Sequence, residues 1–145
     1  MKNRHIVKFL FLIYLGVLLW LTVFREGFST ESLFSKGDFN LEIFTDLIKI
    51  YHNDKSVFFY LFLGNIVTFI PFGFFILPLI SRHRKKVFSA FILTVFAGFI
   101  FSLCIEIAQW AFGVGVSEID DLILNTFGVF LGSLLSLPFY KKLRK

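Results

Sequence analysis

One cysteine, three histidines and little charge set the first limits on this chain of 145 residues. Cys104 stands alone inside an apolar run, so no intramolecular disulfide can form and no zinc pattern of cysteines exists. His5, His52 and His83 all lie outside the apolar runs, and no two-histidine zinc motif, nucleophile elbow or triad is spelled out. Neither a metal nor a cofactor is therefore expected. Charged residues make up 17% of the chain, against roughly a quarter in ordinary soluble domains. Internal repeats and low-complexity segments are absent as well. What fills the space is apolar: 57% of residues are hydrophobic and 20% aromatic. A soluble protein of this size has too much surface to hide such a composition, so the excess must face lipid. The length allows one integral membrane domain over 1–145 and leaves no room for a soluble catalytic module.

Four apolar stretches, 6–24, 57–80, 87–112 and 122–139, are each close to the ~20 residues that a spanning helix needs. The first follows Lys2, Arg4 and Lys8, as a secretory signal would. Its apolar run exceeds the ~7–15 residues of such signals, and residues 25–29 offer no small-residue cleavage site, so it reads as a retained helix. The sequence thus predicts an all-α polytopic membrane protein with four transmembrane helices.

Lysine and arginine orient the spans. The N-terminus carries Lys2, Arg4 and Lys8, the second loop Arg82, Arg84, Lys85 and Lys86, and the tail Lys141, Lys142, Arg144 and Lys145, with no acid among them. The opposite side holds Arg25, Lys36, Lys49 and Lys55 against six acids in the first loop, and Glu118, Asp120 and Asp121 alone in the third. Both termini are expected on the cytoplasmic side of the membrane. The net charge of +5 is therefore a topology signal that also suits anionic lipid, and no nucleic-acid partner is expected.

In the external loop, 26–56, Leu41, Phe44, Leu47, Ile48 and Tyr51 recur at helical spacing. Asn40 is placed to cap such a helix, with Phe39 and Phe44 as a hydrophobic staple. The expected amphipathic helix lies either on the outer leaflet or folded against the outer ends of the bundle.

Polar side chains inside spans carry the functional signal, because a central charge costs on the order of 2.5–3.5 kcal/mol. Asn65 and Thr68 lie in the second span, Glu106 and Gln109 in the third, and Asn125 in the fourth. Arg25 ends the first span, and Asp120 and Asp121 open the fourth. At 1.5 Å per residue, Asn65, Glu106 and Asn125 lie about 12, 9 and 6 Å below the outer ends, so the costly groups gather in the external half. Ser102, Glu106 and Gln109 share one helical stripe; Asp121, Asn125, Gly128, Gly132 and Ser136 share another. Gly128 and Gly132 form a GxxxG step, which serves packing within the chain or a homodimer. Pro71 removes a backbone donor and, with Gly73 beside it, is expected to kink the second span and open a cavity. The polar set reads either as a structural core or as a functional site.

The segments NIVTFIPFGFFILP and EIAQWAFGVGVSEIDDLILNTFGVFLG resemble the VanZ-like family of bacterial membrane proteins. The likeness rests on Asn65 with Pro71-Phe72-Gly73, on Glu106 with Gln109, and on Asp121 with Asn125 and Gly128. It departs at Gly115-Val116-Ser117-Glu118, where many members carry an arginine before the acidic pair. The resemblance implies an association with glycopeptide resistance, specifically to teicoplanin, and supplies no mechanism.

Three functions fit these residues. The first is binding of a lipid-linked or lipid-tailed ligand from the outer leaflet: a cell-wall precursor, a glycolipid or a lipoglycopeptide. Arg25 would meet its anionic groups, Asn65 and Asn125 would hydrogen-bond it, and Glu106 would orient the network. The second is a small intramembrane enzyme with Glu106 as general base and Asp121 as acid or metal ligand. The third, a proton-coupled transporter, lacks a polar path through the inner half.

Overall fold

The computed structural model describes residues 2–24, 37–81, 86–114 and 116–139, with side chains from residue 5 onward. Helix α1 (Lys2–Leu19) closes in a π-helical turn, Trp20–Phe24. A short strand β1 (Asp38–Asn40) leads into α2 (Thr45–Asn53), and α3 (Lys55–Ser81) follows at once. Then come α4 (Val87–Phe112), strand β2 (Val116–Glu118) and α5 (Ile119–Ser136). Four helices are long and apolar enough to cross a membrane: His5–Phe24, Lys55–Ser81, Val87–Phe112 and Ile119–Ser136. The all-α polytopic fold read from the apolar runs is the observed one. Arg25 lies outside the described residues, as do Arg82, Arg84, Lys85 and the basic tail.

With lipid as apolar as leucine, burial alone does not hold these helices together, and close backbone packing has to. Small residues supply it along α5. A Cβ on Gly128 would overlap the Ile66 carbonyl of α3, and one on Gly132 the Ile70 carbonyl. Gly73 on α3 is packed just as tightly against Val129 and Ser133, and Gly98 on α4 makes room for the Val129 side chain. The GxxxG face thus packs on α3 of the same chain. Gly73 is a packing residue as well. α3 runs as one helix through both Pro71 and Pro78.

The connections at the site end are built from local chemistry. Asp54 alone joins α2 to α3, its Oδ1 accepting the Ser56 and Val57 amides at 2.8 and 3.2 Å as an N-cap. α4 ends at Gly113, whose φ of 63° favours glycine. There the Val114 and Gly113 amides return to the Gln109 and Trp110 carbonyls in a Schellman pattern. β1 and β2 pair in parallel, Asp38 to Val116, Phe39 to Ser117 and Asn40 to Glu118. Phe39 stacks on Trp110 at 5.0 Å, and the Gly37 amide donates to the Trp110 carbonyl at 2.7 Å.

This pairing overturns the expected cap at Asn40. Asn40 belongs to β1; its Oδ1 accepts the Glu42 amide and its Nδ2 donates to Asp46. Its oxygen thus closes an Asx turn instead of a helix. The helix begins only at Thr45, after Phe44 in a left-handed conformation with φ 56°. The Phe39–Phe44 staple is lost for the same reason. Of the two placements left open for α2, the second holds: Leu47 packs against Ile66 and Leu124, with Phe44, Phe58 and Phe62 around them.

Candidate functional site

The polar residues singled out in the spans belong to α3, α4 and α5, and antiparallel packing brings together the helix ends that carry them. α1 and α4 arrive at this end with their C-termini, while α3 and α5 leave from it with their N-termini. A cavity of about 350 Å³ lies between them, lined by Asn65, Thr68, Glu106, Gln109, Asp121 and Asn125. Leu21 and Thr22 of the π-helical turn, Tyr60, Gly64 and Phe69 of α3, Ile105 of α4, Val114 just after α4, and Val116 of β2 complete the wall.

Each polar group has a definite anchor. Asn65 Nδ2 donates to Asp121 Oδ1, tying α3 to α5. Asn125 Nδ2 donates to Ser102 Oγ at 2.9 Å, tying α5 to α4. Glu106 is only 5% exposed and accepts the Glu118 amide at 3.0 Å, which fixes the start of α5 over α4. Gln109 Nε2 reaches the Thr22 carbonyl at 3.1 Å. The last carbonyls of a helix have no partner within it, so this bond satisfies the end of α1. Gln109 Oε1 and Asn125 Oδ1 are buried without a hydrogen-bond partner.

The Thr68 hydroxyl donates back to the Gly64 carbonyl, and its own carbonyl accepts from the Tyr14 hydroxyl. Toward the other end of the bundle, Thr94 and Ser133 likewise return their hydroxyls to carbonyls one turn back, and Ser136 donates to the Phe74 carbonyl.

Asp120 and Asp121 part company. Asp120 does not line the cavity; it is 1% exposed on the α2 side, where its Oδ1 accepts the Phe44 amide at 2.8 Å. Its Oδ2 has no partner. Just before α5, burial pushes the Glu118 carboxyl above its usual range, and the charges of Asp120 and then Asp46 add to the rise. Among the described residues no group of three or more His, Cys, Asp and Glu is arranged to hold a metal ion.

Sequence reasoning passed over Tyr14, Thr22 and Ser117. Tyr14, the buried Leu18 and Thr22 recur every four residues, a spacing that marks one face of α1. Ser117 is buried and hydrogen-bonds Glu106, but no periodicity in a three-residue strand announces it.

A family model described as VanZ/LLP1 matches residues 11–140. Protein VanZ of Enterococcus faecium is 31% identical over 122 residues, which are 83% of this chain and 66% of that protein. The chain thus spans just under two thirds of that relative's length. No solved structure matches it.

Proposed function

The chain belongs to the VanZ/LLP1 family, and on that premise we propose that its polar cavity binds a lipid-linked or lipid-tailed ligand in the outer leaflet of a bacterial plasma membrane. In this reading the protein contributes to tolerance of teicoplanin, and cell-wall precursors and lipoglycopeptides are the candidate ligands. One observation carries it: costly polar side chains from three spans line a single cavity at one end of the bundle, and two of them keep unpartnered oxygens. The basic residues of the sequence support an orientation with both termini in the cytoplasm and the cavity outside.

Single replacements Glu106→Gln, Asp121→Asn and Asn125→Ala test the reading, with membrane abundance measured before teicoplanin tolerance. Tolerance lost at normal abundance supports a binding site. Tolerance lost only together with abundance means that the groups are structural. For orientation, cysteines at Lys49 and Lys86 in a Cys104→Ser background should react with an impermeant thiol reagent from outside and only after permeabilisation, respectively.

A second reading draws on Glu106 and Asp121 lining the same cavity, the minimum for acid–base chemistry on an envelope lipid. Overproduction would then change the membrane lipid profile, which a binding protein leaves unchanged. A proton-coupled transporter has less support, because the hydroxyls of Thr94, Ser133 and Ser136 in the far half of the bundle are committed to backbone carbonyls.

A further inference from the structure

The hydrogen bonds of the cavity wall leave an imbalance that specifies a ligand. Each of its amide nitrogens spends one N–H on the protein, Asn65 on Asp121, Gln109 on Thr22 and Asn125 on Ser102, and keeps a second. The threonine hydroxyls are committed, Thr22 to the Leu18 carbonyl and Thr68 to the Gly64 carbonyl. Because a backbone carbonyl only accepts, Gln109 must turn its nitrogen to Thr22, leaving Oε1 over. Asn125, 5% exposed, also keeps an unpartnered oxygen. To these add the carboxyl groups of Glu106 and Asp121, each with lone pairs beyond the bonds described. Against the second N–H of each amide and the Tyr60 hydroxyl, the wall sets two carboxyl groups and two unpartnered amide oxygens, so acceptors and negative charge prevail. Such a wall suits a cation that donates several N–H bonds, whereas a quaternary ammonium has none to donate to it.

The wall also has a side opening. Leu21 on α1 and Tyr60 on α3 are 47% and 71% exposed, and nothing stands within 4 Å of where a Gly64 Cβ would be. Gly64 lies roughly 13 Å along α3 from Lys55, at the depth of hydrocarbon. A cavity of about 350 Å³ holds a headgroup but not acyl chains.

We propose that the cavity is a site for the protonated primary amine of a lipid headgroup, whose acyl chains leave past Gly64 between α1 and α3. This rests on the lipid-binding reading above and names the chemistry it selects.

The test uses the full-length chain in detergent, with bound molecules counted by native mass spectrometry. The probes are dioctanoyl-phosphatidylethanolamine, dioctanoyl-phosphatidylcholine and free ethanolamine; the two lipids differ only in three N-methyl groups. The ethanolamine lipid should bind about tenfold or more tighter than the choline lipid, the effect of losing a charge-assisted hydrogen bond. Glu106→Gln and Asp121→Asn should erase that preference. Gly64→Leu, which meets no neighbour at its Cβ, should weaken the lipid and spare ethanolamine.

Equal binding of both lipids, lost in Gly64→Leu, overturns the amine selectivity and leaves the lipid pocket standing. Ethanolamine binding as tightly as its lipid, with Gly64→Leu without effect, removes the tail exit and the lipid-binding reading with it. No binding of any probe overturns both. Arg25 is the competing cation within the chain: amine binding that emerges only in Arg25→Gln means the site is filled from inside and refutes the proposal.

Discussion

Alanine at Gly132 and at Gly64 should move stability in opposite directions, although both glycines sit in spanning helices. At Gly132 the new Cβ would overlap the Ile70 carbonyl oxygen and lie 2.8 Å from its carbon and 3.0 Å from the Cα. A carbon settles at about 3.3 Å or more from a carbonyl oxygen, and the oxygen is the nearest of the three atoms, so α3 and α5 must separate by roughly 1 Å or more. All three contacts are backbone, and no flexible side chain can swing aside. Overpacking of this kind typically costs about 1–3 kcal/mol. The helical gain from glycine to alanine, about 1 kcal/mol, offsets part of it. At Gly64 nothing lies within 4 Å, so only the gain remains. The propensity term is common to both variants and cancels in their comparison. Gly132→Ala should therefore unfold about 1–3 kcal/mol more easily than Gly64→Ala. The assay is a titration of the purified chain from mild into denaturing detergent, followed by tryptophan fluorescence. Equal midpoints, or a more stable Gly132→Ala, would mean that α3 and α5 do not cross at these glycines.

Asp120→Ala strips the Phe44 amide of its acceptor beside a strained left-handed residue, a loss of about 1–3 kcal/mol. Hydrogen exchange over 45–53 should rise while the spans stay protected; unchanged exchange would show that Asp120 does not hold α2. Glu118 gives a pH signature. Its carboxyl is raised by burial and then by Asp120 and Asp46, so the folded chain holds that proton more tightly than the unfolded one. The contribution is whole below the ordinary carboxylate range and is lost as pH rises through the shifted value. Glu118→Gln should melt like the parent near about pH 4 and higher near about pH 8; a difference of the same size at both would refute the assignment. Ser102→Ala leaves Asn125 with neither end of its amide bonded and should cost about 1–3 kcal/mol, read in the same detergent titration.

The parts of this fold that are legible in the sequence are those with a large local cost. Eighteen or more apolar residues have no other use, and Asn65, Glu106, Gln109 and Asn125 stand out because each is expensive inside lipid. Helical spacing then says which of them share a face. The two adjacent aspartates required one more step: neighbours on a helix point about 100° apart, so Asp121 meets Asn65 while Asp120 turns to α2. Other features depend on partners that the sequence does not name. The glycine step of α5 marks a close approach without saying which helix approaches. Asn40 carries an oxygen equally suited to a helix cap and to an Asx turn, and its pairing with Glu118 decides between them. Strands of three residues have no period to read.

That parallel pair also orders the birth of the molecule. β1 follows the first span, whereas β2 emerges only after α4, so the early segment must wait through two further crossings for its mate. Until α5 arrives, Asn65 lacks Asp121 and Ser102 lacks Asn125, and their polar atoms would lie bare in the lipid. A chain halted before its last span would thus display its own incompleteness to the proteases that clear unfinished membrane proteins.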